Sequence, residues 1–503
     1  MSKKWGFLGV AAAGVGLVAA SDLMQKKHSI LRIYPVLGHA RYSLEKIRPE
    51  LQQYFIERNW DGRPFSRNTR SLIYSRAKGE IDTTAFGTEE DVYAPHHRSL
   101  VHSLKPKEPP AVPPKVRVGG PQCTQPYDIS LLNISAMSFG SLSARAIESL
   151  NKGAKLGDFA HDSGEGGISD YHRKHGGDLI WEIGTGYFGA RTPEGGFDDE
   201  VFASKAVDPQ VKMVSLKLSQ GAKPGLGGEL PASKTTPEVA EIRGIPVGKT
   251  FISPGAHSEF DTPEGLLRFI DKMRTLSGGK PTGFKLCVGS RSEFLSICKA
   301  MLNTGLLPDF IIVDGSEGGT GAAPKEFNDH VGLPLSEGLT FVHNALVGVG
   351  LRDQIRIGAS GKIATGNDIV RRIAMGADFT LAARAMMMSI GCIQAQQCHL
   401  GTCPAGVATQ NAWRQRGIDV EDKAQRTMRY QQATVAAALK LIAVMGCEHP
   451  SELRPEMVRC NQGDGKPVTY RDRFEWLRSG ELLSDDIRPS WQADWEAAST
   501  TKF

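Results

Sequence analysis

The 503-residue sequence contains no internal repeat and no low-complexity tract, which sets aside repeat architectures. It has no zinc-finger pattern and no RNP segment, so nucleic acid is not expected as a partner. It also lacks a G-x-G-x-x-G turn following a strand. Gly14-Val15-Gly16 lies in an apolar leader instead, and no NADPH domain of that type is expected. Cysteine is sparse. Of eight, Cys123, Cys287, Cys298, Cys447 and Cys460 are scattered without paired spacing. That argues against a disulfide framework and for a reducing compartment.

Charge is missing from Trp5–Ala20, WGFLGVAAAGVGLVAA, which Lys3 and Lys4 precede and Lys26 and Lys27 follow. The run is shorter than the about 20 residues of a helical span, though Leu23 and Met24 extend it. Three readings fit: a single-pass anchor, a signal peptide cleaved after Val18-Ala19-Ala20, or a buried helix. The anchor is the expectation, with residues 1–27 as anchor or leader and the protein on the cytoplasmic side of the membrane. Residues 21–80 carry 12 Lys/Arg and 6 Asp/Glu, a balance of +6 against +5 for the whole chain. Their helical spacing (Leu44, Ile47, Leu51, Tyr54, Phe55) predicts a basic helical segment within 28–103, capping the main domain and facing lipid headgroups. Five prolines in Leu104–Pro114 make residues 104–121 an extended connector.

From Tyr127 the pattern is apolar strand, glycine-rich loop, helix. Strands are predicted at Ile129–Ala136, Val214–Leu218, Phe251–Pro254, Gly283–Val288, Phe310–Val313, Ile355–Gly358 and Phe379–Ala383, with an eighth somewhere in 158–190. Helices are predicted at 143–156, 263–276, 291–305, 335–349 and 365–375. Such alternation implies a parallel sheet, here a (β/α)8 barrel over residues 122–446 followed by a C-terminal tail, 447–503.

The loops after the strands are rich in glycine and fixed charge: Met137–Ser141, Gly164–Gly167, residues 221–231 after Lys217, Lys285, the stretch opened by Asp314, Ser360-Gly361 and Arg384. Glycines let backbone amides approach a phosphate, and consecutive loops of this kind point to a phosphorylated cofactor. Residues 391–410 hold the remaining cysteines, Cys392, Cys398 and Cys403. Three readings stay open: an iron–sulfur cluster, zinc with His399 as fourth ligand, or core packing.

The segments AMSFGSLS, GEGG, QGAKPGLGGELP, KTFISP, DGSEGGTGA and CHLGTC with GVATQ resemble, in this order, the FMN-binding synthase domain of ferredoxin-dependent glutamate synthases. The resemblance extends over roughly residues 125–450. It implies a barrel with FMN and a [3Fe–4S] cluster on Cys392, Cys398 and Cys403, reducing 2-iminoglutarate to glutamate. It places Ala136, Met137 and Ser138 along the flavin ring and Lys285 at its N1 edge. Gly319, Thr320, Ser360, Gly361, Ala383 and Arg384 surround the ribityl phosphate. It makes Lys217, Lys223 and Arg243 the cations for a dicarboxylate beside Gly140, Ser141 and Glu229. Glu165 becomes the proton donor.

Departures from the family pattern shape the functional expectation. No glutaminase domain or N-terminal cysteine precedes the barrel, so ammonia or an amine is expected from solution or a partner. Electrons are expected from an external donor such as ferredoxin or a reductase subunit. Glu229 stands where the family has Gln, and an anion there repels a dicarboxylate. Two alternatives follow: synthesis of an N-substituted glutamate such as N-methylglutamate, and a non-catalytic membrane electron-transfer component.

Overall fold

The computed structural model describes residues 2–463 and 466–503, with side chains from residue 9 onward. The chain divides into two units, Met1–Asn68 and Thr69–Phe503.

The first unit is helical: Ser2–Met24, Ser29–Ile33, Gly38–Leu51 and a π-helical turn Gln52–Ile56. The expected single-pass anchor is overturned, and with it membrane attachment and a membrane location. Among the described residues no helix is long and apolar enough to cross a membrane. Two features of the first helix explain this. Between Gly9 and Ala20 it is largely glycine and alanine, which expose little apolar surface. Near its C-terminus Asp22 is buried and accepts from the backbone N–H of Val36 (2.8 Å), and its carboxylate lies 2.9 Å from His39 Nε2. A carboxylate ties this helix end to protein, where a span would need lipid-compatible residues.

The second unit is built on a closed barrel of eight parallel strands: β1 (Leu132–Ile134), β2 (His161–Asp162), β3 (Leu179–Ile183), β4 (Val211–Lys217), β5 (Thr282–Leu286), β6 (Phe310–Asp314), β7 (Arg356–Ser360) and β8 (Phe379–Ala382). Each strand pairs with the next in sequence, and β8 closes on β1 through Leu381 and Asn133. Strands buried on both faces need near-continuous apolar runs, and β6 (FIIVD) and β8 (FTLA) supply them. The core joins Ile180, Met213, Phe310, Ile312, Phe379 and Leu381.

The (β/α)8 architecture agrees with the sequence pattern; two strands were placed differently. The stretch 158–190 holds β2 and β3, not one strand. Phe251–Ile252 pairs antiparallel with Glu229–Leu230, outside the barrel. Helices Ala144–Gly157, Pro263–Leu276, Arg291–Thr304, Leu335–Gly348 and Gly366–Ala374 follow the predicted spans. Most begin at a side-chain cap, as where Ser143 accepts from Ala146 N and Thr262 from Gly265 N.

Flanking segments complete this unit. Arg98–Leu100 pairs antiparallel with Val458–Asn461, which in turn pairs with Pro467–Thr469. Beyond that strand, Ser103 N bonds Val444 O and Lys107 N bonds Ala443 O, both at 2.9 Å.

Candidate active site

At the C-terminal ends of the strands, the loop after β2 turns back on itself at Gly164. This residue has φ +65°, and a Cβ there would lie 2.7 Å from Ser138 N. Only glycine fits that position. The turn delivers Glu165 to Lys217, the last residue of β4, at 2.6 Å. Lys217 Nζ also donates to Gln220 Oε1 (2.6 Å), and Gln220 Nε2 donates to Thr320 Oγ1 (3.0 Å). Lys223 and Arg243 complete the cationic group, and both are buried. Arg243 Nη2 donates to Ser138 Oγ (3.2 Å) and Phe139 O (3.0 Å), and its guanidinium lies 5.0 Å from the Phe188 ring centre. Ser138 bonds Ser141 (3.0 Å), while a Cβ at Gly140 would lie 3.2 Å from Arg243 Nη2.

The electrostatics of this mouth are dominated by Glu165. Burial acts to raise its carboxyl, but Lys217, then Arg243 and Lys223, outweigh burial and hold it below the ordinary value. Burial lowers Lys223, against the pull of Glu165, and lowers Arg243 to about 10. Glu229 is exposed but close enough to act on Lys223.

Deeper in the barrel, Lys285 on β5 forms a buried ion pair with Glu182 on β3. Burial opposes the ammonium, but Glu182, Asp162 and Asp314 hold Lys285 above the usual lysine range. Asp162 on β2 accepts from Gly164 N at 2.9 Å; among the described residues its Oδ2 has no partner. Burial, then Glu182, pushes Asp162 up to about 8. Nothing in the sequence pattern singled out Glu182 or Asp162 as ionic partners. The one available signal was a carboxylate inside the apolar run LIWEI.

This raised value has a measurable consequence. Unfolded, Asp162 releases its proton near 3.9; folded, it keeps it to about 8. The folded state then binds the extra proton, so its contribution to stability is full below about pH 4 and is lost as pH rises to about 8. Asp162→Asn should flatten the fall in urea midpoint between pH 5 and pH 8. An unchanged fall in the variant would place the titration elsewhere.

Loops after β6, β7 and β8 meet beside this pair. Gly315 N bonds Ser360 O (2.9 Å), Arg384 bonds Glu317 O, and Ser360 Oγ lies 3.3 Å from Ser135 Oγ. A Cβ at Gly319 would approach Arg384 Nε to 2.9 Å. Gly319, Thr320, Ser360, Gly361, Ala383 and Arg384 thus lie on adjoining loops, and Ala136 and Met137 follow β1 on the same face.

The cysteine loop is anchored on both sides. Cys392 N bonds Met387 O (3.0 Å), and its carbonyl accepts from Tyr74 Oη (2.8 Å). Gln410 Nε2 donates to Gly140 O (3.1 Å) and Leu142 O (2.8 Å). Between Cys392 and Cys398 both Gln394 and Gln396 adopt positive φ (59° and 56°), a strained path that packing must hold. Burial pushes Cys392 up to about 12, with Cys398 and Cys403 adding to it. The thiols are therefore mutual neighbours. Yet among the described residues no three His, Cys, Asp or Glu side chains are spaced to hold one metal ion, and His399 is exposed. A tetrahedral zinc set is not formed. Three thiols on one loop are donors of the soft kind that iron–sulfur chemistry uses.

Ionisable groups gathered where the strands of a closed parallel barrel end mark a (β/α)8 enzyme. Residues 76–448 match the family model described as a conserved region in glutamate synthase. The chain is 38% identical over 505 residues to the glutamate synthase large subunit-like protein YerD of Bacillus subtilis, covering 92% of this chain and 96% of that protein. It is 33% identical over 321 residues to the archaeal-type glutamate synthase [NADPH] of Thermotoga neapolitana, covering 64% of this chain but 60% of that relative. An (S)-mandelate dehydrogenase chimera aligns at a TM-score of 0.42 and 14% identity, covering 78% of this chain and 98% of that one; a likeness at that level carries no chemistry across. The chain belongs to the glutamate synthase family, and is an oxidoreductase of that family.

Proposed function

We propose that this chain carries out the reductive amination of 2-oxoglutarate, through 2-iminoglutarate, to glutamate, with electrons from an external donor. The observation that carries the reading is Glu165 surrounded by Lys217, Arg243 and Lys223 at the barrel mouth. Three cations around one carboxylate suit a substrate with two carboxylates. In the substrate-free site those cations keep Glu165 ionised. Substrate carboxylates draw them away, Glu165 loses its neutralising partners, and burial then favours its protonated form. The substrate itself arms the proton donor that imine reduction needs.

FMN, when bound, supplies the hydride. Ala136, Met137 and Ser138 would line its ring, and Gly319, Thr320, Ser360, Gly361, Ala383 and Arg384 would hold its phosphate. Lys285 would place a cation at the ring, its charge balanced from behind by Glu182. Cys392, Cys398 and Cys403 would hold a [3Fe–4S] cluster that relays electrons from a donor such as ferredoxin or a reductase subunit. We assign catalysis to residues 122–446 and treat 104–121 and 447–503 as flanking segments.

Glu229 supports a second reading. An exposed carboxylate acting on Lys223 weakens the hold on a dianion and suits a substrate bearing a cationic amine, so an N-substituted glutamate such as N-methylglutamate is the alternative product. The test is the anaerobically purified, photoreduced protein given 2-oxoglutarate with ammonia or with methylamine. Glutamate from ammonia supports the first reading, and N-methylglutamate formed faster supports the second. Neither product, in protein carrying flavin and about three irons per chain, would overturn both.

A further inference from the structure

Lys234 follows the loop 221–231 and closes a short 3-10 turn, Ala232–Lys234. It is 3% exposed. Its Nζ donates to Ser141 O at 3.2 Å, one bond for an ammonium that has three N–H donors. Among the described residues no carboxylate pairs with it. A buried, unpaired cation costs several kcal/mol, so a folded protein keeps one only where an anion of another kind is near. Burial lowers Lys234; the sulfurs of Cys398 and Cys403 act to hold its charge, and Arg243 acts against it. The lysine stem runs along the cysteine loop, where a Cβ on Gly401 would meet Cε at 3.6 Å.

A neutral thiol gives a buried ammonium little. Three thiolates holding a cluster carry net negative charge at this place, and that supplies the missing counter-ion. Resting on the cluster reading above, we propose that Lys234 is the counter-cation of the thiolate-held cluster and sets its reduction potential. A fixed positive charge stabilises the reduced, more negative cluster and raises its potential. Because the same ammonium holds Ser141 O, it also lies between the cysteine loop and the Met137–Ser141 loop. Lys234 is a positioning and tuning residue.

The experiment uses full-length protein purified without oxygen and titrated redox-wise with the oxidised-cluster EPR signal as readout, with iron content measured alongside. Lys234→Met should lower the cluster midpoint by at least tenfold in the oxidised-to-reduced ratio at fixed poise, about 59 mV for one electron. Lys234→Arg, which keeps the charge, should stay within threefold of wild type. A Lys234→Met protein that loads iron with an unchanged midpoint overturns the assignment and leaves the cluster reading standing. If Lys234→Met loses iron while Lys234→Arg keeps it, charge is again the requirement and the assignment holds. Loss of iron from both variants shows that shape governs, and overturns it. Wild-type protein without iron overturns the cluster reading together with this assignment.

Discussion

Replacing Lys285 by Met should destabilise the protein by about 3–5 kcal/mol, the usual result of removing one partner of a buried ion pair. The reason lies in what remains. Glu182 is 1% exposed and loses its counter-ion, with the Asp162 carboxyl, whose Oδ2 has no partner among the described residues, beside it. An uncompensated carboxylate is then left in the buried centre of the barrel. Adding Glu182→Gln to Lys285→Met should restore much of the loss, because no buried charge is left unmatched. Urea unfolding of the single and double variants at pH 6 and pH 8 measures this directly. A single variant as stable as wild type would show that the pair is not the electrostatic centre of the barrel. If flavin occupies the site as proposed, the single variant should also hold it at a lower midpoint potential, since the cation assigned to the ring's edge is gone.

Glu165→Gln should reduce kcat by about 10²- to 10⁴-fold, the range expected when a general acid is removed. Its effect on KM should run the other way. With Glu165 neutral, Lys217, Lys223 and Arg243 keep their full charge for substrate, so 2-oxoglutarate should bind more tightly and KM should fall. A role confined to holding the loop would move both constants without this split. Steady-state kinetics with an artificial reductant, together with calorimetric binding of 2-oxoglutarate, separates the two. A kcat within threefold of wild type would remove Glu165 from proton transfer. The variant should fold, because Lys217 keeps Gln220 at 2.6 Å.

The barrel was legible where strands are apolar runs closed by glycine loops, as at Phe310–Asp314 and Phe379–Ala382. It was not legible at β2, which is only His161-Asp162, both polar-capable and both fully buried. Phe251–Pro254 looked like a barrel strand because a short apolar run does not reveal its partner, here Glu229–Leu230. In the site, the charged strand ends could be read because they close apolar runs, as Lys217 and Asp314 do. Glu182 could not, since its meaning comes from Lys285, 103 residues away. Lys234 in PASKTT carries no local signal; the cysteines that give it meaning lie far downstream. At the N-terminus, counting apolar letters missed that glycine and alanine add little surface, and that Asp22 is tied into protein.

The small sheet that joins Arg98–Leu100 to Val458–Asn461 has a consequence for the order of events as the chain is made. Residues 96–107 take most of their backbone partners from Ala443–Asn461, so those bonds cannot form until the whole barrel has been synthesised. At about 5–20 residues per second, that strap waits tens of seconds as an unpaired edge. The prolines of Leu104–Pro114 keep part of it from joining another strand meanwhile, since proline has no N–H to offer a ladder. The strap is secured only after the barrel is made, and its docking reports that the barrel strands are complete.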